Sequence, residues 1–197
     1  MKLGDNMKVP LRFQVTEFDC GTISLLNAFS FLFEREEIPA ALVKSIHKYT
    51  LDCYDEEGNI GQGGTSREAI DRLTHWITRY TSEHDFKVKC THLQKEDITL
   101  EKMYECIKNN GCIFLRCWQT VEHYVIVTNM DKKYAYIFDP YYLDKKEYIR
   151  DKEVKIILNK PFTHNRKVSL KRLMSESKKD FSFGAVERRE CVLINRK

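Results

Sequence analysis

Four residues have types and spacing suited to acyl chemistry. Cys20 stands beside Gly21 and directly ahead of TISLLNAFSFLF, a run that places apolar residues almost all round a helix. The thiolate is the reactive form of cysteine, and a helix amino terminus favours it. Free N–H groups of a first helical turn can also receive an oxyanion, and Gly21 leaves room for a substrate backbone. Cys20 can equally be read as one more core thiol, so a base is needed to decide. Of the six histidines, His47, His75, His84 and His92 fall in helices or polar segments and His164 in the loop PFTHNRK. Only His123 opens a strongly apolar strand, HYVIV, where a rigid sheet edge would hold its ring. Sixteen residues on, after a turn, Asp139 closes YAYIFD just before Pro140. Adjacent antiparallel strands put the start of one beside the end of the next, so His123 and Asp139 are expected as neighbours, the carboxylate fixing the imidazole tautomer. Gln14, six residues before Cys20, carries an amide that could serve as a second oxyanion donor.

The elements that must position these groups follow from pattern. The helix after Cys20 is apolar on every side and belongs inside a domain. A second helix is expected over AALVKSIHKY (40–49), then a glycine-rich loop through LDCYDEEGNIGQGG. Thr65 with Glu68 three residues later reads as a capping box before AIDRLTHWITRY, and Thr99 starts LEKMYECIKNN, which should stop at Asn110-Gly111. After Gly111 the texture turns β-rich: CIFLRCW, HYVIVTNM, YAYIFD, EVKIIL and ECVLIN, with Asp131-Lys132-Lys133 as a hairpin turn. The expected architecture is an α+β fold, a helical amino-terminal half packed on a carboxy-terminal antiparallel sheet. At 197 residues one domain spanning 1–197 is expected.

Composition narrows the chemistry. Seven cysteines, odd in number and without a C-x-x-C pair, argue against a disulfide framework or zinc ribbon, and for a reduced, cytoplasmic setting. The spacings of Cys90, His92, Cys106, Cys112 and Cys117 fit no standard metal site, and GNIGQGGTS lacks the lysine of a phosphate loop, so no cofactor is expected. The start, MKLGDNMKVPLRFQ, has no apolar signal core, and no apolar run is long enough to span a membrane. Net charge is +4 but unevenly placed, +8 over residues 144–197 and −4 before them. The basic residues are scattered among strand patterns, which reads as a solvated face and not a nucleic-acid surface.

The ordered set Gln14, DCG at 19–21, GTS at 64–66, HYVIV at 123–127 and DPY at 139–141 resembles papain-like cysteine peptidases. More closely it is similar to the bacteriocin-processing, double-glycine-leader peptidases and related protease-like acyltransferases and amide synthetases. The likeness spans 14–142; residues 143–197 lie outside it as a basic carboxy-terminal extension of the sheet. It implies a papain-like fold with Cys20 as nucleophile, His123 as base and acid, Asp139 as its orienter and Gln14 as oxyanion donor. Members of this class act on a peptide or on an acyl thioester. If water resolves the acyl-enzyme the protein is a peptidase, which is the leading expectation. If an amine does, it is an amide synthetase, and the +8 segment then offers a dock for an acidic carrier protein. A binding module that keeps the fold without turnover is the third reading.

Overall fold

The computed structural model describes residues 8–197; Met1–Met7, the first part of the stretch MKLGDNMKVPLRFQ read above as lacking a signal core, lie outside the described residues. Five helices and seven strands are formed: α1 (Cys20–Leu32), α2 (Ala40–Tyr49), α3 (Arg67–Glu83), β1 (Val88–Gln94), α4 (Leu100–Lys108), β2 (Cys112–Gln119), β3 (Val121–Met130), β4 (Tyr134–Phe138), β5 (Val154–Ile156), β6 (Arg166–Ser169), α5 (Leu170–Leu173) and β7 (Glu190–Arg196). The strands make one antiparallel sheet in the order β1-β7-β2-β3-β4-β6-β5. The α+β class expected from the sequence is the class observed.

The sheet is buried on both faces, which is why β2 and β3 read as continuous apolar runs and not as alternating ones. Phe114, Tyr124, Ile126, Phe138 and Val192 face α1, α2 and α3 in one core cluster. Leu115, Val125, Val127, Ile137 and Val168 enter a second cluster with Met103 of α4 and Leu173 of α5. Beyond the helices packed on one face, α4 and α5 cover the far face of the sheet. Residues 143–197 supply β5 and β6 at one side of the sheet, while β7 inserts between β1 and β2.

Three of the four hydroxyl or amide side chains on the largely apolar α1 fix its pose. The Ser24 hydroxyl donates to the Tyr124 carbonyl at 2.9 Å, and the Thr22 and Thr50 hydroxyls share a hydrogen bond of 2.7 Å. Asn27 bonds both the N–H and the carbonyl of Arg12, each at 2.8 Å, and so aligns the segment that leads to Gln14. Inside a core such groups are tolerated only when paired.

The caps differ in one place from expectation. Thr99 caps α4 by accepting the Lys102 N–H. For α3 the cap is Ser66 and not Thr65: Ser66 Oγ accepts the Ala69 N–H at 3.0 Å, because the Asp52 carboxylate holds both the N–H and the hydroxyl of Ser66, at 2.8 and 2.6 Å. Thr65 Oγ1 instead accepts the Leu51 N–H and ties down the glycine-rich loop. At the end of α4, Asn110 takes the left-handed conformation (φ 55°), while Gly111 is needed for space. A Cβ there would lie 2.3 Å from Asn195 Nδ2 and 2.7 Å from the Ile194 carbonyl oxygen.

Candidate active site

β3 and β4 are joined by the Asp131 turn, in which Asp131 Oδ1 accepts the N–H groups of Lys133 and Tyr134, both at 2.8 Å. The register pairs Ile126 with Phe138. Continuing it by one residue brings Asp139 opposite Val125, two residues from His123 and on the same side of the strand. The side chains meet: His123 Nε2 lies 2.8 Å from Asp139 Oδ1. His123 is 6% exposed and Asp139 fully buried.

Burial disfavours a charged imidazole, but the Asp139 charge and hydrogen bond outweigh it, and the Cys20 side chain adds hydrogen bonding and charge of its own. The His123 pKa is pushed up to about 10 from its ordinary 6.5. For Asp139 burial acts upward, yet His123 and Arg166 together hold the carboxyl below the usual carboxylate range. With Nε2 engaged by Asp139, Nδ1 is the ring nitrogen left for Cys20.

The carboxylate is held by partners that sequence reasoning missed. Asp139 Oδ2 lies 3.2 Å from Arg166 and 3.3 Å from the Gln119 amide nitrogen, and Oδ1 also accepts the Tyr141 N–H at 2.8 Å. Arg166 is fully buried and donates to the carbonyls of Asn165 and Tyr141. Asn165 accepts the Asp139 N–H at 2.8 Å and donates to its carbonyl at 2.7 Å. One signal for Arg166 was present: in RKVS it shares the phase of Val168 and so the buried side of β6.

Cys20 is the first residue of α1 and 8% exposed. The Asp19 carboxylate does not cap the helix. It turns back to accept the N–H groups of Val15 and Thr16, at 3.1 and 3.0 Å, shaping the loop ahead of the thiol. The N–H groups at the front of α1 have no partner within the helix. Gly21 serves a purpose other than the expected one. A Cβ there would meet Thr65 Oγ1 at 2.8 Å and the Tyr124 ring at 3.3 Å, so the space beside it is filled by the protein itself. The DCG and GTS motifs are thus in contact, and the loop braces the front of α1. Tyr124 is braced in turn: its hydroxyl donates to Glu190 at 3.0 Å, and the fully buried Glu190 also meets His92 at 2.9 Å.

Gln14 is anchored through its backbone N–H to the Pro140 carbonyl at 2.9 Å, which brings it to the Asp-Pro end of β4. Its side-chain amide donates to the Thr16 carbonyl at 2.7 Å, and its Oε1 is buried without a hydrogen-bond partner. Gln14 and His123 line a cavity of about 380 Å³ together with Gln119, Val121, Tyr141, Leu143, Tyr148 and three carboxylates, Glu17, Glu147 and Asp180. The segment Tyr141–Tyr148 therefore flanks the cleft. No residue of the loop 54–64 lines this cavity; the chain next to it reaches the front of α1 through Thr65.

Four of the remaining thiols, Cys106, Cys112, Cys117 and Cys191, are core groups, while Cys53 and Cys90 are partly exposed. Cys112, Cys117 and Cys191 are fully or nearly fully buried, and burial lifts the Cys106 thiol to about 11. Among the described residues no cluster of three or more His, Cys, Asp or Glu is arranged to hold a metal ion, and no helix is long and apolar enough to cross a membrane.

Among solved structures, the chain is similar to a double glycine motif protease from an AMS/PCAT transporter, crystallised in complex with the leader peptide. The TM-score is 0.43 and the identity 15%, with 98% of this chain and 94% of that chain covered. No family profile and no curated protein matches the sequence.

Proposed function

We propose that the protein is a thiol-dependent acyl-transfer enzyme, a cysteine peptidase built as one papain-like domain. The observation that carries this reading is the buried His123, whose ring is engaged by Asp139 at 2.8 Å on one nitrogen, with the Cys20 side chain at the front of α1 among the groups that favour its charged form. Cys20 passes its proton to His123 Nδ1, and the thiolate attacks the substrate carbonyl. The oxyanion is received by first-turn N–H groups of α1 and by the Gln14 amide, whose second N–H is not needed for Thr16. Collapse of the tetrahedral species breaks the carbonyl–nitrogen bond, and His123 returns its proton to the leaving amine. Water, deprotonated by His123, then attacks the thioester and releases the acid and the Cys20 thiol.

Asp139 sets the tautomer of His123 and supports its charge, and Arg166, Asn165 and Gln119 hold Asp139 in place. The protein incubated with an acyl thioester is expected to gain the mass of the acyl group, with no gain in Cys20→Ala and no turnover in His123→Ala. Labelling of Cys20→Ala at the wild-type level, or full activity in His123→Ala, would overturn the assignment. Resolution of acyl-Cys20 by an added amine but not by water would move the reading from peptidase to amide synthetase.

A further inference from the structure

We infer that the cavity beside His123 selects a cationic side chain, lysine or arginine, on the leaving-group side of the scissile bond. This rests on the acyl-transfer reading above. The group that protonates the leaving nitrogen must lie within hydrogen-bond reach of it, so whatever follows that nitrogen occupies the space next to His123. That space is the 380 Å³ cavity, and apart from His123 itself its charged lining is acidic: Glu17, Glu147 and Asp180, with no lysine or arginine. Neither Glu17 nor Glu147 is paired with a cation among the described residues. Two of the three carboxylates, Glu147 and Asp180, come from residues 144–197, a segment that is +8 in net charge.

The acidic wall is built into the fold. Asp180 accepts the Thr120 N–H at 3.2 Å and the Tyr148 hydroxyl at 2.8 Å, and Thr120 sits in the left-handed region (φ 64°) at the β2–β3 turn. A non-glycine residue keeps that conformation only where its surroundings impose it. A second feature also asks for a donor: Gln14 Oε1, on a cavity-lining residue, is a buried acceptor left without a partner. Val121, Tyr141 and Leu143 supply an apolar track along which the methylenes of a long basic side chain can lie with the cation at the carboxylates.

By microscopic reversibility, an amine that attacks acyl-Cys20 occupies the same space as the amine that leaves. The test therefore uses the full chain acylated by an acetyl thioester and offered lysinamide or its neutral counterpart norleucinamide. Lysinamide is expected to capture the acyl group about three- to tenfold more efficiently at low ionic strength, with the advantage shrinking in salt. The double variant Glu17→Gln/Glu147→Gln, checked for an unchanged circular dichroism spectrum, is expected to bring the ratio close to one. A second arm titrates both amides into Cys20→Ala and follows the His123 ring by NMR, where the same preference is expected without turnover. Equal capture and equal binding of the two amides by the wild-type site, or an undiminished lysine preference in the double variant, would overturn the inference. Lysine-selective binding to Cys20→Ala in a protein whose Cys20 never acylates would leave the pocket standing and remove the acyl-transfer reading instead.

Discussion

Replacing Asp139 by asparagine removes one charge from the centre of the site while keeping its size and an oxygen for the Tyr141 N–H. In the wild type, burial works against a charged His123, and Asp139 with help from Cys20 reverses that, raising the pKa to about 10. Without the carboxylate charge, burial is left as the main influence, and the ring is expected to titrate at or below the ordinary value of about 6.5. The difference of roughly 3.5 units corresponds to stabilisation on the order of 5 kcal/mol of the charged ring. At pH 8 the wild-type ring stays protonated, whereas no more than about 3% of the variant's would be, a loss of roughly thirtyfold or more in the charged form. Linkage gives the sign for stability. His123 binds its proton more tightly in the folded chain, so its contribution is fully present below about pH 6.5 and is lost as pH rises through about 10. Denaturant unfolding at pH 6 and pH 10 should therefore show a wild-type advantage over Asp139→Asn that is largest at pH 6 and fades toward pH 10. NMR titration of the ¹³C-labelled His123 ring measures the pKa directly. A variant ring that still titrates near 10 would refute the claim that Asp139 holds the charge.

The other expectations concern the supports of the site. Arg166→Met is expected to destabilise the fold by about 3–5 kcal/mol in denaturant unfolding, because it leaves a buried carboxylate with one cation fewer; a change under 1 kcal/mol would show that His123 alone suffices. Gly21→Ala should cost about 1–3 kcal/mol, since the new methyl meets Thr65 Oγ1 at 2.8 Å. Thermal unfolding measures that loss, and the companion Gly21→Ala/Thr65→Ala, which removes the Thr65 hydroxyl, is compared with Thr65→Ala alone, so that a smaller cost of Gly21→Ala in that background shows the clash. Ser66→Ala should cost about 1–2 kcal/mol as a lost cap, with Thr65→Ala leaving the Ser66 cap bond in place and weakening instead the Leu51 attachment of the loop, read by amide exchange at Leu51.

Much of the layout was legible because it rests on short-range signals. The helices at 40–49 and 100–108 and the strands of the β3–β4 hairpin follow from apolar period, from the Thr99 cap and from the Asp131 turn, each settled within a few residues. That His123 and Asp139 end near one another was legible from the hairpin, but their phase was not: the register shifts by one residue between Val127 and Asn129, so Asp139 falls opposite Val125 and not Ile126 and shares a face with His123. The Thr65 cap failed because Thr65 and Ser66 are both good caps, and a carboxylate fourteen residues away, Asp52, decided between them. The expected role of Gly21 failed because its neighbour in space, Thr65, lies far along the chain.

By itself the sequence determined which side chains are candidates for reaction and that β3 and β4 pair through the Asp131 turn. The tertiary structure alone decided what surrounds them. β7 slides between β1 and β2 and delivers Glu190 to Tyr124, 66 residues away; β6 brings Arg166 to Asp139 from the far side of β4. The acidic lining of the cleft likewise draws on Glu17, Glu147 and Asp180, from three distant parts of the chain. Period and spacing act over one or two turns of a helix or one hairpin, whereas the order of strands in a sheet is set by the burial of the whole core. Groups that meet only through that order carry no local mark of their meeting.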